Sequence, residues 1–361
     1  MVAAERAARG DETVLAPIDL GLYDFLLPPE RIAQRPTPER DAARLLVLDR
    51  ASGNREHATM RELPRFLRRG DLVVVNATQV VPAKLRGRKE TGGVAEALVL
   101  GPGAVPNAFR ALVGCRGRLR VGQRFVFARD DRSLVATITA LRAHGEVELA
   151  FAPGESPYDV GEAPLPPYIR RAAPEAIDGE RYQSVFARVP GSVAAPTASL
   201  HLSERLLASL ADAGIERAEV VLHVGPGTFR PLGAEQLASG RLHAERYELP
   251  LETADAIARA RARGGRIVAV GTTTTRVLES CARGDAPGLV APGNGETTLF
   301  LRPGRRFAVI DALLTNFHLP RSSLLLLVAA FAGREAVLEA YADTVARGYR
   351  FFSYGDAMLV R

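Results

Sequence analysis

Short apolar segments, each followed by a polar loop and a helix-forming stretch, occur three times in the second half of this chain. They are Ala218-Glu-Val-Val-Leu-His223, Arg266-Ile-Val-Ala-Val270 and Phe307-Ala-Val-Ile310. The alternation of short strands with helices indicates an α/β sheet. Ligands of open α/β sheets bind beyond the carboxyl ends of the strands. The pattern therefore predicts a functional site in the polar loops that follow these strands.

The three loops differ in the chemistry they offer. They are Val224-Gly-Pro-Gly-Thr-Phe229, Gly271-Thr-Thr-Thr-Thr275 and, after Asp311, Thr315-Asn-Phe-His-Leu-Pro320. Taken alone, the first is a tight turn, because it matches neither the GxGxxG spacing nor a Walker motif. The second suits an anion or a ribose edge, or simply caps a helix. After the third, Ser322 or Ser323 is expected to cap an apolar helix.

The front half of the chain suggests a second structural unit. Asp71-Leu-Val-Val-Val75 is a further strand of the α/β sheet and ends at Asn76. From about Lys84 to Phe151 the sequence has short alternating segments without helical periodicity, which indicates a small β-barrel. We therefore predict an α/β main domain formed by both chain ends, residues 22–83 and 160–361, an inserted barrel at 84–159 and a loose extension at 1–21.

Positive charge is concentrated in the predicted barrel. The chain has a net charge of +6, and the stretch from Ala97 to Arg129 holds six arginines and no acidic residue. The guanidinium group of arginine can donate two hydrogen bonds to a phosphate, so this face is interpreted as RNA-binding. The alternative is a solvent-exposed barrel face without a partner, which would have the same composition. The residues predicted to contact RNA are Lys84, Arg86, Arg88, Arg116, Arg118, Arg120, Tyr168 and Arg170.

The cysteines and the apolar segments indicate in which cellular compartment the protein is expected. Cys115 and Cys281 lie far apart and form no CxxC, which fits a reducing compartment. The apolar run Leu324–Ala332 is too short to cross a bilayer, and the charged first residues do not resemble a signal peptide. We expect a cytoplasmic protein. No metal is expected, because the histidines lack paired ligand spacings such as HExxH.

The exact sequence motifs say more about the family of this chain than the periodicity of its apolar residues does. Ordered along the chain, they are Ile32-Ala-Gln-Arg-Pro36, Asn76-Ala-Thr-Gln-Val-Val-Pro-Ala-Lys-Leu-Arg86, Leu165-Pro-Pro-Tyr-Ile-Arg170, Arg181-Tyr-Gln-Ser184, Pro190-Gly-Ser-Val-Ala-Ala-Pro-Thr-Ala-Ser-Leu-His201, Leu222-His-Val-Gly-Pro-Gly-Thr-Phe229, Val270-Gly-Thr-Thr-Thr-Thr-Arg276, Leu314-Thr-Asn-Phe-His-Leu-Pro320 and Tyr349-Arg-Phe-Phe-Ser-Tyr-Gly-Asp-Ala-Met358. As a set they closely resemble the signatures of the S-adenosylmethionine:tRNA ribosyltransferase-isomerases, enzymes of the queuosine pathway.

The resemblance implies a fold and a reaction. The fold is an α/β domain built from both chain ends, with a β-barrel insert. The reaction moves the ribosyl moiety of the co-substrate S-adenosylmethionine onto 7-aminomethyl-7-deazaguanine at the tRNA wobble position. Epoxyqueuosine in tRNA is formed, and adenine and methionine are released. The resemblance further implies a monomer, no metal, and a tRNA anticodon loop as partner.

The chain departs from the pattern of this family at Ser199, Gly240 and Arg246, where the family has mostly glycine, histidine and an aromatic residue. Two rivals stay open, and these departures motivate the first of them. One is a divergent paralogue that acts on another RNA base or nucleoside, and the other is a non-catalytic RNA-binding scaffold.

Roles can be assigned to the polar residues of these motifs. We expect His201 or Glu245 to transfer the proton from the carbon beside the sulfonium, although a lone loop histidine is more often structural. The full set of catalytic candidates is His201, Glu245, His223, His318 and Asp356. The candidates for binding S-adenosylmethionine are Thr197, Gly225, Gly227, Thr228, Thr272, Thr273, Arg276, Asn316 and Tyr354.

Overall fold

The computed structural model describes residues 17–171, 175–229 and 232–361. Most of the predicted loose extension, residues 1–16, lies outside them. At its end, Asp19 caps a short 3-10 helix, Leu20–Tyr23. Two compact units are distinguished. The first comprises Met1–Ala77, Pro196–Leu222 and Arg230–Arg361, and the second comprises Thr78–Ala195 and His223–Phe229.

The regular elements alternate along the chain. The strands are β1 Arg44–Leu48, β2 Arg55–Thr59, β3 Leu72–Asn76, β4 Thr78–Val80, β5 Lys84–Lys89, β6 Val94–Pro102, β7 Ala108–Cys115, β8 Arg124–Arg129, β9 Arg132–Leu141, β10 Glu146–Ala150, β11 Val189–Ser192, β12 Glu216–Leu222, β13 Arg241–Leu249, β14 Ile267–Val270, β15 Gly293–Leu299, β16 Ala312–Asn316 and β17 Ala357–Val360. The α-helices are α1 Ala176–Arg181, α2 Glu204–Asp212, α3 Ala234–Ser239, α4 Leu251–Ala262, α5 Thr272–Ser280, α6 Ser323–Ala332 and α7 Arg334–Ala346.

The first unit is built on a nine-stranded sheet in the order β15-β13-β12-β3-β14-β16-β17-β1-β2. Its centre, β12-β3-β14-β16, is parallel. β3 and β14 are buried at every residue, as expected for apolar strands covered by helices, and α4 and α5 pack on them. The carboxyl ends of these four strands share one edge, which we call the carboxyl edge. The predicted α/β fold is confirmed.

One predicted strand of this sheet is wrong. Phe307–Ile310 is a loop, and the strand begins five residues later as β16. The loop is held by the carboxylate of Glu279, which accepts hydrogen bonds from the amides of Ala308, Val309 and Ile310 at 2.7, 3.0 and 3.0 Å. A side chain from another element thus satisfies amides that a neighbouring strand would otherwise bind. The helix expected next is confirmed, since the Ser322 hydroxyl caps α6.

The second unit contains a closed six-stranded barrel in the order β10-β7-β6-β5-β8-β9. Its interior is filled by small and large side chains together, with Ala97, Ala111 and Ala136 beside the stacked rings of Phe125 and Phe127. All six strands lie within the predicted insert, residues 84–159. The compact unit is wider, because it also holds the parallel pair β4–β11 and residues 223–229. Within the described residues, no helix is long and apolar enough to cross a membrane.

Candidate active site

Asn316, the last residue of β16, is the centre of a buried hydrogen-bond network at the carboxyl edge. It is 2% exposed. Its Oδ1 accepts a hydrogen bond from the hydroxyl of Thr197 at 2.9 Å. Its Nδ2 donates to the carbonyl of Phe352 at 3.1 Å and lies 2.9 Å from Nε2 of His201. Because the Phe352 carbonyl can only accept, it sets the orientation of the amide, and both Nδ2 hydrogens are therefore used.

This network determines the state of His201. Since Asn316 donates to Nε2, that nitrogen must be the acceptor and the proton of the neutral ring lies on Nδ1. Burial, together with the positive charges of Arg350 and Arg40, lowers the pKa of His201 to about 3. The imidazole is therefore neutral at physiological pH. Its Nδ1–H makes no hydrogen bond with the residues that the structure describes, although the residue is only 4% exposed. His201 thus offers a neutral donor that has no acceptor among the described residues.

The segment that supplies the Phe352 carbonyl has a strained backbone. Phe352 has φ +72, in the left-handed region that residues other than glycine rarely adopt. Asp356 anchors the segment, because its two carboxylate oxygens accept from the amides of Arg44 at 3.0 Å and Arg350 at 2.8 Å. Burial raises the pKa of Asp356, and these hydrogen bonds oppose the shift. Asp356 therefore belongs to the frame of the site, and Tyr354, two residues before it, is buried.

Asn76, at the end of β3, connects two other strand-end loops. Its side chain exchanges hydrogen bonds with the backbone of Leu222, at 3.0 and 3.1 Å, and donates to the hydroxyl of Thr273 at 3.2 Å. Gly271, before Thr272 and Thr273, has φ +88, and a Cβ atom there would lie 3.5 Å from that of Ala198. This places the start of α5 against the 3-10 helix Thr197–His201. The first unit thus brings together Thr197, His201, Thr273 and Asn316.

Two predicted site residues bind each other. Arg276 on α5 and Glu245 on β13 form a buried ion pair. The guanidinium also donates from Nε to the carbonyl of Leu299 at 3.0 Å and from Nη2 to that of Thr297 at 3.2 Å. All three nitrogens of the guanidinium are occupied in joining α5 to β13 and β15. The geometry favours a structural role for the pair.

His318 is also held by the fold. Its Nε2 lies 2.9 Å from the hydroxyl of Thr315, and its amide donates to the hydroxyl of Tyr341 at 3.1 Å. Burial lowers the pKa of His318 to about 3. These contacts lie inside the core of the first unit, where Tyr341 is fully buried. A core role therefore accounts for this histidine.

The second unit holds His223. Its Nδ1 lies 2.8 Å from the hydroxyl of Thr78. The ring lies against Gly191, which has φ +145 and where a Cβ atom would come within 2.9 Å of the imidazole, so only glycine fits. The Ser192 hydroxyl accepts from the amide of Val224 at 2.9 Å and donates to the carbonyl of Ala194 at 2.7 Å. The half-exposed His223 stays a candidate for proton transfer.

The glycine-rich loop follows directly. Thr228 donates its amide to the carbonyl of Gly225 at 3.3 Å, and Pro226–Phe229 form a 3-10 turn. Gly225 and Gly227 are half-buried and Thr228 is exposed. The tight turn that the sequence suggests is present, and the donor-binding role of this loop stays a prediction.

Sequence reasoning left three structurally important side chains out of the candidate set. Asn76 joins strand ends, Ser192 joins two loops, and Gln183 binds the amide and carbonyl of Val80 through both atoms of its side-chain amide, at 3.0 and 2.7 Å. All three lie in strings quoted for the family resemblance. The signal was therefore present, but nothing in the sequence distinguishes backbone-binding residues from ligand-binding ones.

The basic residues of the barrel fall into two groups. Lys84 and Arg86 are paired with Glu96 and Glu162, at 3.4 and 2.6 Å. Among the arginines predicted to contact RNA, Arg88, Arg116, Arg118 and Arg120 are exposed and make no ion pair with any described residue. The last three lie in the loop between β7 and β8. Arg170 is exposed and Tyr168 half-buried. The part of the chain that the structure describes has no cluster of three or more histidine, cysteine or acidic residues suited to a metal.

Comparison with known proteins gives a consistent result. A family described as queuosine biosynthesis protein matches residues 20–360. An S-adenosylmethionine:tRNA ribosyltransferase-isomerase from an Anaeromyxobacter species is 51% identical over 347 residues, covering 94% of this chain and 97% of that protein. The enzyme of the same name from Pelobacter propionicus is 47% identical, with 94% and 98% covered. The crystal structure of an S-adenosylmethionine tRNA ribosyltransferase from Thermotoga maritima superposes with a TM-score of 0.54 at 37% identity, over 94% of this chain and 100% of that one.

Proposed function

The chain belongs to the queuosine biosynthesis protein family, and on that premise we propose that it transfers and isomerises the ribosyl moiety of S-adenosylmethionine onto 7-aminomethyl-7-deazaguanine in tRNA. Adenine and methionine are the leaving products. The family match over residues 20–360, together with relatives that carry this activity in their names, supports the reaction. We place the active site at the carboxyl edge because four polar residues come together there: Thr197, His201, Thr273 and Asn316.

His201 acts in this proposal as a neutral hydrogen-bond donor. Its pKa of about 3 makes it a weak base near pH 7, and Nε2 is already occupied by Asn316. What remains is Nδ1–H, a donor suited to an accepting atom of the nucleoside, such as a ribose oxygen or a ring nitrogen of the departing adenine. Removal of one preorganised donor from an active site typically costs about 100- to 1,000-fold in turnover.

Asn316 and Thr197 hold this donor in place and line the site for S-adenosylmethionine. The Oδ1 atom of Asn316 has a second lone pair, and the hydroxyl of Thr197 can still accept a hydrogen bond. Both atoms therefore suit hydroxyl groups of a ribose. Thr272 and Thr273 add the first turn of α5 to the same edge. Glu245 and Arg276 stay outside the chemistry in this proposal, because each neutralises the other.

RNA binding is assigned to four of the arginines of the barrel that the sequence predicted to contact RNA, namely Arg88, Arg116, Arg118 and Arg120. Their guanidinium groups are exposed and no carboxylate among the described residues competes for them, so phosphate oxygens are their natural partners. Lys84 and Arg86 contribute less, since each is paired with a glutamate.

An assay of adenine release tests the function. The purified chain, S-adenosylmethionine and tRNA that carries the deazaguanine base are expected to yield adenine together with a modified nucleoside of higher mass. The His201→Ala variant is expected to lose about 100-fold or more in turnover. His243→Ala is the matched control, because His243 is exposed on β13. Tight tRNA binding without adenine release by the wild type would refute the proposed reaction and favour an RNA-binding scaffold.

A further inference from the structure

A group of arginines lies on the turn after the edge strand β15. The sequence from Thr297 to Ile310 contains no acidic residue but holds Arg302, Arg305 and Arg306. The amide of Arg305 donates to the carbonyl of Arg302 at 3.0 Å, which closes the turn. Arg241, the first residue of β13, is paired in register with Leu299 at the end of β15. We call Arg241, Arg302, Arg305 and Arg306 the basic corner.

Three charges of the basic corner have no opposite charge beside them among the described residues. Arg241, Arg305 and Arg306 are exposed and make no ion pair with any residue that the structure describes. Arg302 is only 6% exposed, with its guanidinium 5.7 Å from the ring of Phe300. Burial and the neighbouring charge of Arg305 lower the pKa of Arg302. Like charges held together in this way repel each other, and a bound polyanion relieves that repulsion.

The topology places the corner beyond the active-site edge of the sheet. β13 is antiparallel to β12, and β15 is antiparallel to β13, so β15 runs in the same direction as β12, β3, β14 and β16. Through Tyr247 of β13, Leu222 at the end of β12 is level with Gly295 of β15, so Leu299 lies four residues beyond the carboxyl edge. The basic corner thus lies beyond the same sheet edge that carries the proposed site.

We propose that the basic corner binds the phosphate backbone of the RNA substrate, as a contact made by the first unit itself. The proposal rests on the proposed function for the identity of the RNA. Exposed guanidinium groups on a turn suit successive phosphates, because each can donate a pair of hydrogen bonds to one phosphate group. S-adenosylmethionine is not a suitable occupant, since its sulfonium is itself a cation.

A pair of charge-reversal variants tests this assignment. Arg305→Glu with Arg306→Glu removes two charges from the corner. Arg68→Glu with Arg69→Glu is the matched control, because these two arginines are also adjacent, exposed and unpaired among the described residues. They precede β3 and so lie at the opposite edge of the same sheet. The affinity for tRNA is measured by fluorescence anisotropy over a salt titration, and the affinity for S-adenosylmethionine by calorimetry.

The corner variant is expected to bind tRNA about 10-fold or more weakly near 0.1 M salt, with the slope of log affinity against log salt reduced by about 1.4 to 1.8 for two lost phosphate contacts. The control variant is expected to stay within about 2-fold of the wild type. Arg305→Gln with Arg306→Gln should give an intermediate loss. Affinity for S-adenosylmethionine and the unfolding temperature should not change in any of the three.

Equal tRNA affinity of the corner and control variants, whether both bind normally or both bind weakly, would overturn the assignment. Failure of the proposed function is a separate result. It would be seen as absence of adenine release by the wild type, whereas the corner is tested by binding alone and needs no turnover.

Discussion

Replacing Asn316 with aspartate would test whether His201 acts as a neutral donor, because the two side chains have nearly the same shape. The change puts an oxygen in place of Nδ2, at 2.9 Å from Nε2 of His201 and 3.1 Å from the carbonyl of Phe352. Two oxygens then face each other at the Phe352 carbonyl, and the hydrogen bond from Nδ2 to that carbonyl is lost. This should lower the free energy of unfolding by about 1–3 kcal/mol.

The larger effect falls on the ionisation of His201. A carboxylate about 4 Å from the centre of the ring would stabilise the imidazolium by about 4 kcal/mol at an effective dielectric constant near 20, which raises the pKa of His201 by about three. The starting value is about 3, so the histidine of the variant should titrate in the neutral range. The protonated ring keeps a proton on Nδ1, whereas the neutral ring of the variant carries its proton on Nε2, facing the new carboxylate.

The activity of the aspartate variant should therefore fall as the pH rises through the raised pKa of His201, because deprotonation removes the Nδ1–H donor. The wild type should show no such transition, since its ring keeps Nδ1–H at all pH values above about 3. Titration of the histidine signals by NMR gives the pKa, and the pH dependence of kcat/KM gives the activity. If the activity of the variant instead rose with pH through that transition, His201 would be acting as a base and the donor role would be refuted.

Thr197→Val is the matched control for this experiment. It removes the hydrogen bond to Oδ1 of Asn316 but leaves both Nδ2 donors in place. The expected cost in stability is about 1 kcal/mol, with no new pH transition in activity.

Three further outcomes follow from other contacts. In the unfolded chain His318 binds a proton near pH 6.5, whereas in the folded protein the buried ring binds one only near pH 3. The free energy of unfolding therefore falls as the pH falls through this window. Between pH 7 and pH 5, the free energy of unfolding of His318→Gln should fall by about 2 kcal/mol less than that of the wild type, as measured by denaturant unfolding. Ser199→Ala should leave the free energy of unfolding unchanged or raise it by up to about 1 kcal/mol, because the buried Ser199 hydroxyl has no partner among the described residues. Ser192→Ala should lower it by about 1–3 kcal/mol, because the Ser192 hydroxyl accepts from the amide of Val224. Arg118→Glu with Arg120→Glu should weaken tRNA binding in a salt-dependent manner and leave S-adenosylmethionine binding intact; unchanged tRNA affinity across the titration would contradict the barrel assignment.

Several features of the fold could be read from the sequence because they depend on local patterning. The apolar runs that became β3 and β14 are bounded by polar loops, and a continuous apolar run of that length suits a central parallel strand. The Ser322 cap is equally local, since a hydroxyl at the start of a helix binds an amide within three residues. The barrel was recognisable from alternating segments without helical periodicity. The prediction of a strand at Phe307–Ile310 was wrong, because the apolar pattern did not reveal that the Glu279 carboxylate would bind the backbone amides of this segment.

The sequence by itself determined the family, the α/β class with a barrel, and the strand-end loops that carry the polar residues. Only the tertiary structure decided what those polar residues do. Glu245 and Arg276 lie 31 positions apart and neutralise each other, and Asn316 reaches across 115 positions to set the proton of His201. Among the barrel residues, Lys84 and Arg86 meet glutamates while Arg118 and Arg120 do not. The physical reason is that a side chain's charge state and hydrogen bonds depend on its neighbours in space, which long-range packing brings together and sequence order does not encode.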